Sequence, residues 1–134
     1  MTKYLLSTTL LLSLLLLGCN NEEDILREVK IDNLLGSWEW NATSVNGISS
    51  SVMPCCVILA FQSKDFSKLN GQFTITENGF SSVGYFEVAL ETSQLTTTID
   101  DQSRTFTFEL SEIMLTLTYE ENGDDVIDGY KKTN

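Results

Sequence analysis

The 134-residue chain has no histidine, a single proline, three cysteines, and eight basic residues against nineteen acidic ones. Each shortage narrows the chemistry available. Without histidine there is no imidazole general base, no imidazole zinc ligand and no Ser-His or Cys-His nucleophile pair. No glycine-rich phosphate loop is present. The surplus of acids sets the formal charge at −11, and such a surface repels phosphate backbones, which argues against a nucleic-acid partner. Composition alone permits a carboxylate pair of the glycosidase kind, but no spacing brings two acids together in a cleft. The residues therefore point to a non-enzymatic protein, with no catalytic residues, no cofactor and no metal.

The first residues carry the most specific signal. After Met1-Thr2-Lys3 the chain is apolar from Tyr4 to Leu17, relieved only by Ser7, Thr8, Thr9 and Ser13. A basic start followed by an apolar stretch shorter than the roughly 20 residues of a membrane-spanning helix is the layout of a secretory signal. The stretch ends Leu16-Leu17-Gly18-Cys19. This resembles the lipobox of bacterial lipoproteins, and the resemblance implies cleavage between Gly18 and Cys19 with lipid on the Cys19 thiol. Two or three acyl chains make a stable anchor, since each buried methylene contributes about 0.8 kcal/mol. Residues 1–18 are thus expected to be a signal peptide, and its removal, which takes Lys3 alone among the charges, moves the formal charge from −11 to −12. Residues 19–33 are expected to form the lipidated N-terminus and a tether, and 34–134 a single β domain.

The acidic run Asn20-Asn21-Glu22-Glu23-Asp24 reads as a solvated tether. It is also similar to the surface-export signal of Bacteroidetes lipoproteins, which implies an outer-membrane protein exposed at the cell surface. From Ile25 to Leu35 a weakly amphipathic pattern suggests a short helical lead-in.

After Gly36 the chain turns to period-two alternation rich in Thr, Ser, Phe, Val and Ile. Phe80, Phe86, Val88 and Leu90 share one face; Phe73 and Ile75 share another, as do Phe106, Phe108 and Leu110, and then Ile113, Leu115, Leu117 and Tyr119. One dry and one wet face per strand is the requirement of antiparallel sheet. Asn70-Gly71, Asn78-Gly79 and Asn122-Gly123 suit tight hairpins. The expected strands lie near 36–46, 52–62, 71–77, 80–90, 94–100, 104–110, 113–120 and 126–132. Eight short hairpin-linked strands suit a small all-β, antiparallel up-and-down β-barrel. A two-sheet β-sandwich meets the same alternation and stays open as the alternative.

Leu34-Leu35-Gly36-Ser37-Trp38 at the first strand, Gly84-Tyr85-Phe86 in the middle and Tyr130-Lys131-Lys132 at the end resemble the lipocalin-like domains of Bacteroidetes lipoproteins. The resemblance implies that Gly36 and Trp38 sit at the closed end of the barrel. Lipocalins stack a basic residue of the last strand on that tryptophan, and here Lys131 or Lys132 is available. Trp40 lies on the same side of the strand as Trp38, either packed in the core or lining a cavity mouth. The candidate ligand-lining residues are Trp40, Phe73, Phe86, Phe106, Phe108 and Leu117, facing a small apolar or amphipathic ligand. The alternative is a cell-surface interaction protein, an accessory subunit or inhibitor, that meets a partner through its outer strand faces and acidic loops.

Two further groups have plain readings. Cys55 and Cys56 are adjacent, and on an extended strand they face opposite ways, so two free, half-buried thiols are expected. Glu120, Glu121, Asp124, Asp125 and Asp128 surround the Asn122-Gly123 turn, where a solvated hairpin tip is expected because the spacing is not that of an EF-hand.

Overall fold

The computed structural model describes residues 31–50, 56–65 and 67–133. The expectations for Gly18, Cys19 and the tether up to residue 30 lie outside them. A helical turn over 31–34 leads into nine strands: β1 Gly36–Val45, β2 Ile48–Ser49, β3 Val57–Gln62, β4 Asn70–Glu77, β5 Phe80–Ala89, β6 Gln94–Ile99, β7 Gln102–Leu110, β8 Met114–Glu121 and β9 Asp124–Lys132. Each strand from β3 onward pairs antiparallel with its successor, and β9 returns to pair with β1, from Trp38 opposite Lys132 to Val45 opposite Val126. The result is a closed, eight-stranded, antiparallel up-and-down β-barrel, with β2 added at the far end of β1. A sandwich would leave the first and last strands unpaired with each other.

The tight turns lie mostly at one end of the barrel. Asn78-Gly79 and Asn122-Gly123 both take positive φ at two successive residues, the primed turn that matches the twist of a hairpin. Asn46-Gly47 does the same between β1 and β2. So does Asp100-Asp101 between β6 and β7, with no glycine at all. Asn70-Gly71, by contrast, is not a turn: both residues begin β4, and the chain reverses over 63–69 instead. The second long strand is described from Val57 to Gln62, and the part of its expected span at 52–55 lies outside the described residues. Cys56 is disulfide-bonded, which corrects the expectation of a free thiol. Cys56 lies before β3 at φ 68, outside the extended conformation on which that expectation rests.

Gly71 and Gly84 explain how so short a sheet curls shut. Gly71 sits opposite Phe86, and Gly84 opposite Phe73, on adjacent inward positions of β4 and β5. An added Cβ would fall 2.1 Å from the Gln62 carbonyl oxygen at Gly71 and 1.9 Å from that of Thr98 at Gly84. Backbones this close leave room for no side chain, and the neighbouring space is taken by Phe86 at Gly71 and by Ile99 at Gly84. β1 carries the complementary device. Its register with β9 shifts between Trp40 and Ala42, so Asn41 is an extra residue and the inward positions become Trp38, Trp40, Thr43 and Val45.

The interior is densest at the end where the chain enters. Trp38, Leu34, Ile31, Leu95, Leu115 and Phe61 are almost completely enclosed, with Phe86, Val88 and Phe108 close behind. Phe61 meets Phe73 at 5.2 Å and Phe86 edge-on at 5.3 Å between ring centroids. The face shared by Phe80, Phe86, Val88 and Leu90 is only partly dry: Phe80 follows the inward parity of β5 but overhangs the barrel at the turn end and is 83% exposed. Ile113 is exposed in the same way beyond the start of β8.

The glycine corner gives a direct test. Replacing Gly84 with alanine is expected to lower the unfolding free energy by at least about 1–3 kcal/mol, the range for overpacking, because the obstacle is backbone and cannot rotate away. Chemical denaturation should show this, whereas alanine at the outward Val83 should shift stability by no more than about 0.5 kcal/mol.

Candidate functional site

One end of the barrel is shut from within. The Trp38 indole nitrogen donates to the Leu34 carbonyl at 2.8 Å, and Lys132 Nζ donates to the Asn33 carbonyl at 2.8 Å. These two carbonyls belong to the last residues of the helical turn, where no intrahelical partner remains. The Lys132 ammonium also stands 5.1 Å above the Trp38 ring. Lys132, not Lys131, is therefore the cation over the barrel-end tryptophan, as expected for one of the two. Gly36, at φ 115, passes close enough that a Cβ would touch the Lys132 stem at 3.5 Å.

The opposite end holds a cavity of about 580 Å³. Its apolar wall includes Leu59, Phe61, Phe73, Ile75, Phe106 and Leu117, and its polar wall Thr97, Gln102, Arg104, Tyr119 and Asp128. Of the candidate ligand-lining residues, Phe73, Phe106 and Leu117 are brought together on this wall. Phe86 and Phe108 are packed into the core instead. Trp40 is inward but does not line the cavity; it reaches it through hydrogen bonds. Its indole nitrogen donates to Thr43 Oγ1 at 2.9 Å and to the Ala42 carbonyl at 3.2 Å.

Thr43 in turn donates to Asp128 Oδ1, and Tyr119 donates its hydroxyl to Asp128 Oδ2 at 2.9 Å. A carboxylate on the inner wall is thus held by two hydroxyls from neighbouring strands. The Asn41 bulge is what makes this geometry: without the extra residue, Thr43 would point outward. Asp128 falls inward by the parity of β9, with Val126 and Tyr130. The acids around the Asn122-Gly123 turn therefore do not form one cluster. Asp128 is inside. Asp124 and Asp125 are both held by Asn46, whose amide nitrogen donates to Asp124 at 2.8 Å and whose carbonyl accepts from the Asp125 backbone at 3.0 Å. Glu121 binds Arg104 at 2.9 Å.

Arg104 lies at the mouth, with its guanidinium carbon 4.4 Å over the Tyr119 ring and 5.7 Å from the Phe106 centroid. Those two rings meet edge to face at 5.5 Å. Alternation marks Phe106 and Tyr119 as inward, but Arg104 was missed because a charge at an inward position reads as a break in the pattern. Its parity with Phe106 and Phe108 was the available signal.

Burial and the hydrogen bond to Asp128 push the Tyr119 phenol up to about 12. Tyr130 is raised as well, first by burial and then by the nearby Asp128 carboxylate.

No protein-family model and no curated protein matches the sequence. Among solved structures, a de novo designed fluorescence-activating β-barrel superposes with a TM-score of 0.51 at 10% identity, covering 77% of this chain and 96% of that one. The likeness is one of fold.

A phenol whose pKa is higher folded than unfolded adds stability below its ordinary value near 10, and that stability is lost as pH rises through the folded value. Alkaline titration followed by phenolate absorbance is expected to show a step near about 12 that Tyr119→Phe removes. Wild-type stability should stay level up to about pH 10 and decline above it.

Proposed function

We propose that this chain is an exported, lipid-anchored lipoprotein of the outer membrane, related to the lipocalin-like lipoproteins it resembles, whose barrel binds a small apolar or amphipathic molecule. The observation that carries the binding role is the 580 Å³ cavity, apolar along one wall and hydrogen-bonding along the other, at the end of the barrel opposite the Trp38 plug. Binding sites are concave, mostly apolar and fitted with a few placed polar groups, and this one has that make-up at a size suited to one small ligand. The chemistry read from the residues is non-enzymatic, resting on the lack of histidine in the sequence; the inner carboxylate is held by the hydroxyls of Thr43 and Tyr119. The reading of Gly18-Cys19 as the cleavage and lipidation point rests on the sequence.

A second reading, docking to a surface protein, draws support from β5, where Val83 and Tyr85 point outward and are 55% and 74% exposed beside the overhanging Phe80. Pull-down from membranes with and without Tyr85→Ser tests it, and a partner retained equally by both would remove this strand from the interface.

For the cavity, the uncharged fluorophore phenylnaphthylamine is expected to brighten on binding. Ile75→Trp, which fills the apolar wall, should weaken it at least about ten-fold, equal to about 1.4 kcal/mol. A wild-type protein that leaves the fluorophore dark would sink the binding role. For the anchor, Cys19→Ser in the producing cell should abolish incorporation of a palmitate analogue and shift the chain from the membrane to the soluble fraction. Unchanged membrane recovery would overturn it.

A further inference from the structure

The charge of this molecule is not spread evenly over the barrel. The described lysines, Lys64, Lys68, Lys131 and Lys132, lie in the 63–69 connection or at the end of β9, all at the plugged end. The cavity end carries Asp100 and Asp101 in one turn and Glu120, Glu121, Asp124 and Asp125 flanking another. Among the described residues Arg104 is the one basic residue on the cavity wall, and Glu121 takes its charge. A mouth of one sign over low-dielectric walls concentrates ligands of the opposite sign.

Inside that mouth stands Asp128. A carboxylate has about four acceptor positions, and the hydroxyls of Thr43 and Tyr119 fill one on each oxygen. Acceptor capacity remains on a group that lines the cavity. Keeping a half-buried charge in a wall that otherwise includes Phe73, Ile75, Phe106 and Leu117 is costly unless it is paired. The tyrosine face beside it already accommodates a cation, since the guanidinium of Arg104 rests 4.4 Å above it.

From this arrangement we infer that the cavity takes an amphipathic cation: a small molecule with an aromatic or aliphatic body and a protonated amine. The body packs on the apolar wall, and the ammonium meets Asp128 next to the Tyr119 ring. A fatty acid or other anionic amphiphile is the opposite case. Its head would have to pass the acidic rim, face Asp128 and Asp100, and displace Glu121 from Arg104 to find a counter-charge. The inference rests on the ligand-binding reading above and adds the sign of the ligand.

The test uses the full-length chain and three probes with one body and different heads: naphthylethylamine, naphthylethanol and naphthylacetate, titrated at neutral pH and low salt with naphthalene fluorescence as the readout. The amine is expected to bind at least about ten-fold more tightly than the alcohol, as one charge-assisted hydrogen bond provides, and the acetate more weakly than either. Raising the salt concentration should narrow the gap between amine and acetate. Asp128→Asn should bring the ratio of amine to alcohol affinity close to one. Arg104→Gln, at a half-exposed position that keeps the test decisive if the Asp128 variant fails to fold, should raise amine affinity by removing the competing cation. An acetate that binds as well as the amine, or an amine that weakens in Arg104→Gln, overturns the inference while leaving a binding barrel in place. Failure of all three probes to bind overturns the binding reading itself.

Discussion

β1 must satisfy two neighbours at once. Its first residues, Gly36 to Glu39, pair with β3 on one edge, and the strand pairs with β9 on the other from Trp38 to Val45. Closure of the ring passes through this strand, and with closure the exposed edges of an eight-stranded sheet vanish. The extra residue Asn41 lets β1 follow the curvature without losing the pairing, and it sets which later side chains enter the interior. The Thr43 contact with Asp128 is therefore a by-product of closing the barrel. Gly71 and Gly84 do the same on the opposite side, where β3, β4, β5 and β6 crowd together.

A barrel of this size can be filled or hollow, and this one is both. The plugged half is filled by Trp38, Phe61, Leu95, Leu115, Phe86 and Phe108, with the Leu34 and Asn33 carbonyls tied off by Trp38 and Lys132. The other half replaces bulk with shorter or polar inward residues, Thr43, Thr97, Gln102 and Asp128. Thr43 and Tyr119 hold the Asp128 carboxylate against the wall, and among the described residues no fully enclosed side-chain polar atom lacks a partner. Packing thus supplies stability at one end, and the polar network keeps space open at the other.

Most of the strand plan was legible in the sequence, because one wet and one dry face repeat plainly from Phe73 onward. The Asn-Gly turns at 78 and 122 were legible for the same reason. What escaped has specific causes. Asn70-Gly71 looks like a turn, but its glycine answers to a close backbone in the middle of a sheet corner, which only the three-dimensional curl creates. Asp100-Asp101 makes a primed turn without glycine, since aspartate tolerates the left-handed region when the flanking strands fix the register. Phe86 and Phe108 share the parity of cavity residues yet lie at the wrong height along the axis, and alternation carries no information about height. Asp128 was grouped with its acidic neighbours because a bulge on a distant strand, β1, is what gives it a hydroxyl to hold.

The chain enters the barrel beneath Trp38, through the helical turn whose last carbonyls face Trp38 and Lys132. Anything attached upstream of Ile31 is therefore joined to the plugged end, and the cavity opens on the far side. The end that receives the chain and the end that opens to solvent are thus different ends. A molecule can enter and leave the cavity without disturbing the Trp38 and Lys132 contacts that tie off the helical turn.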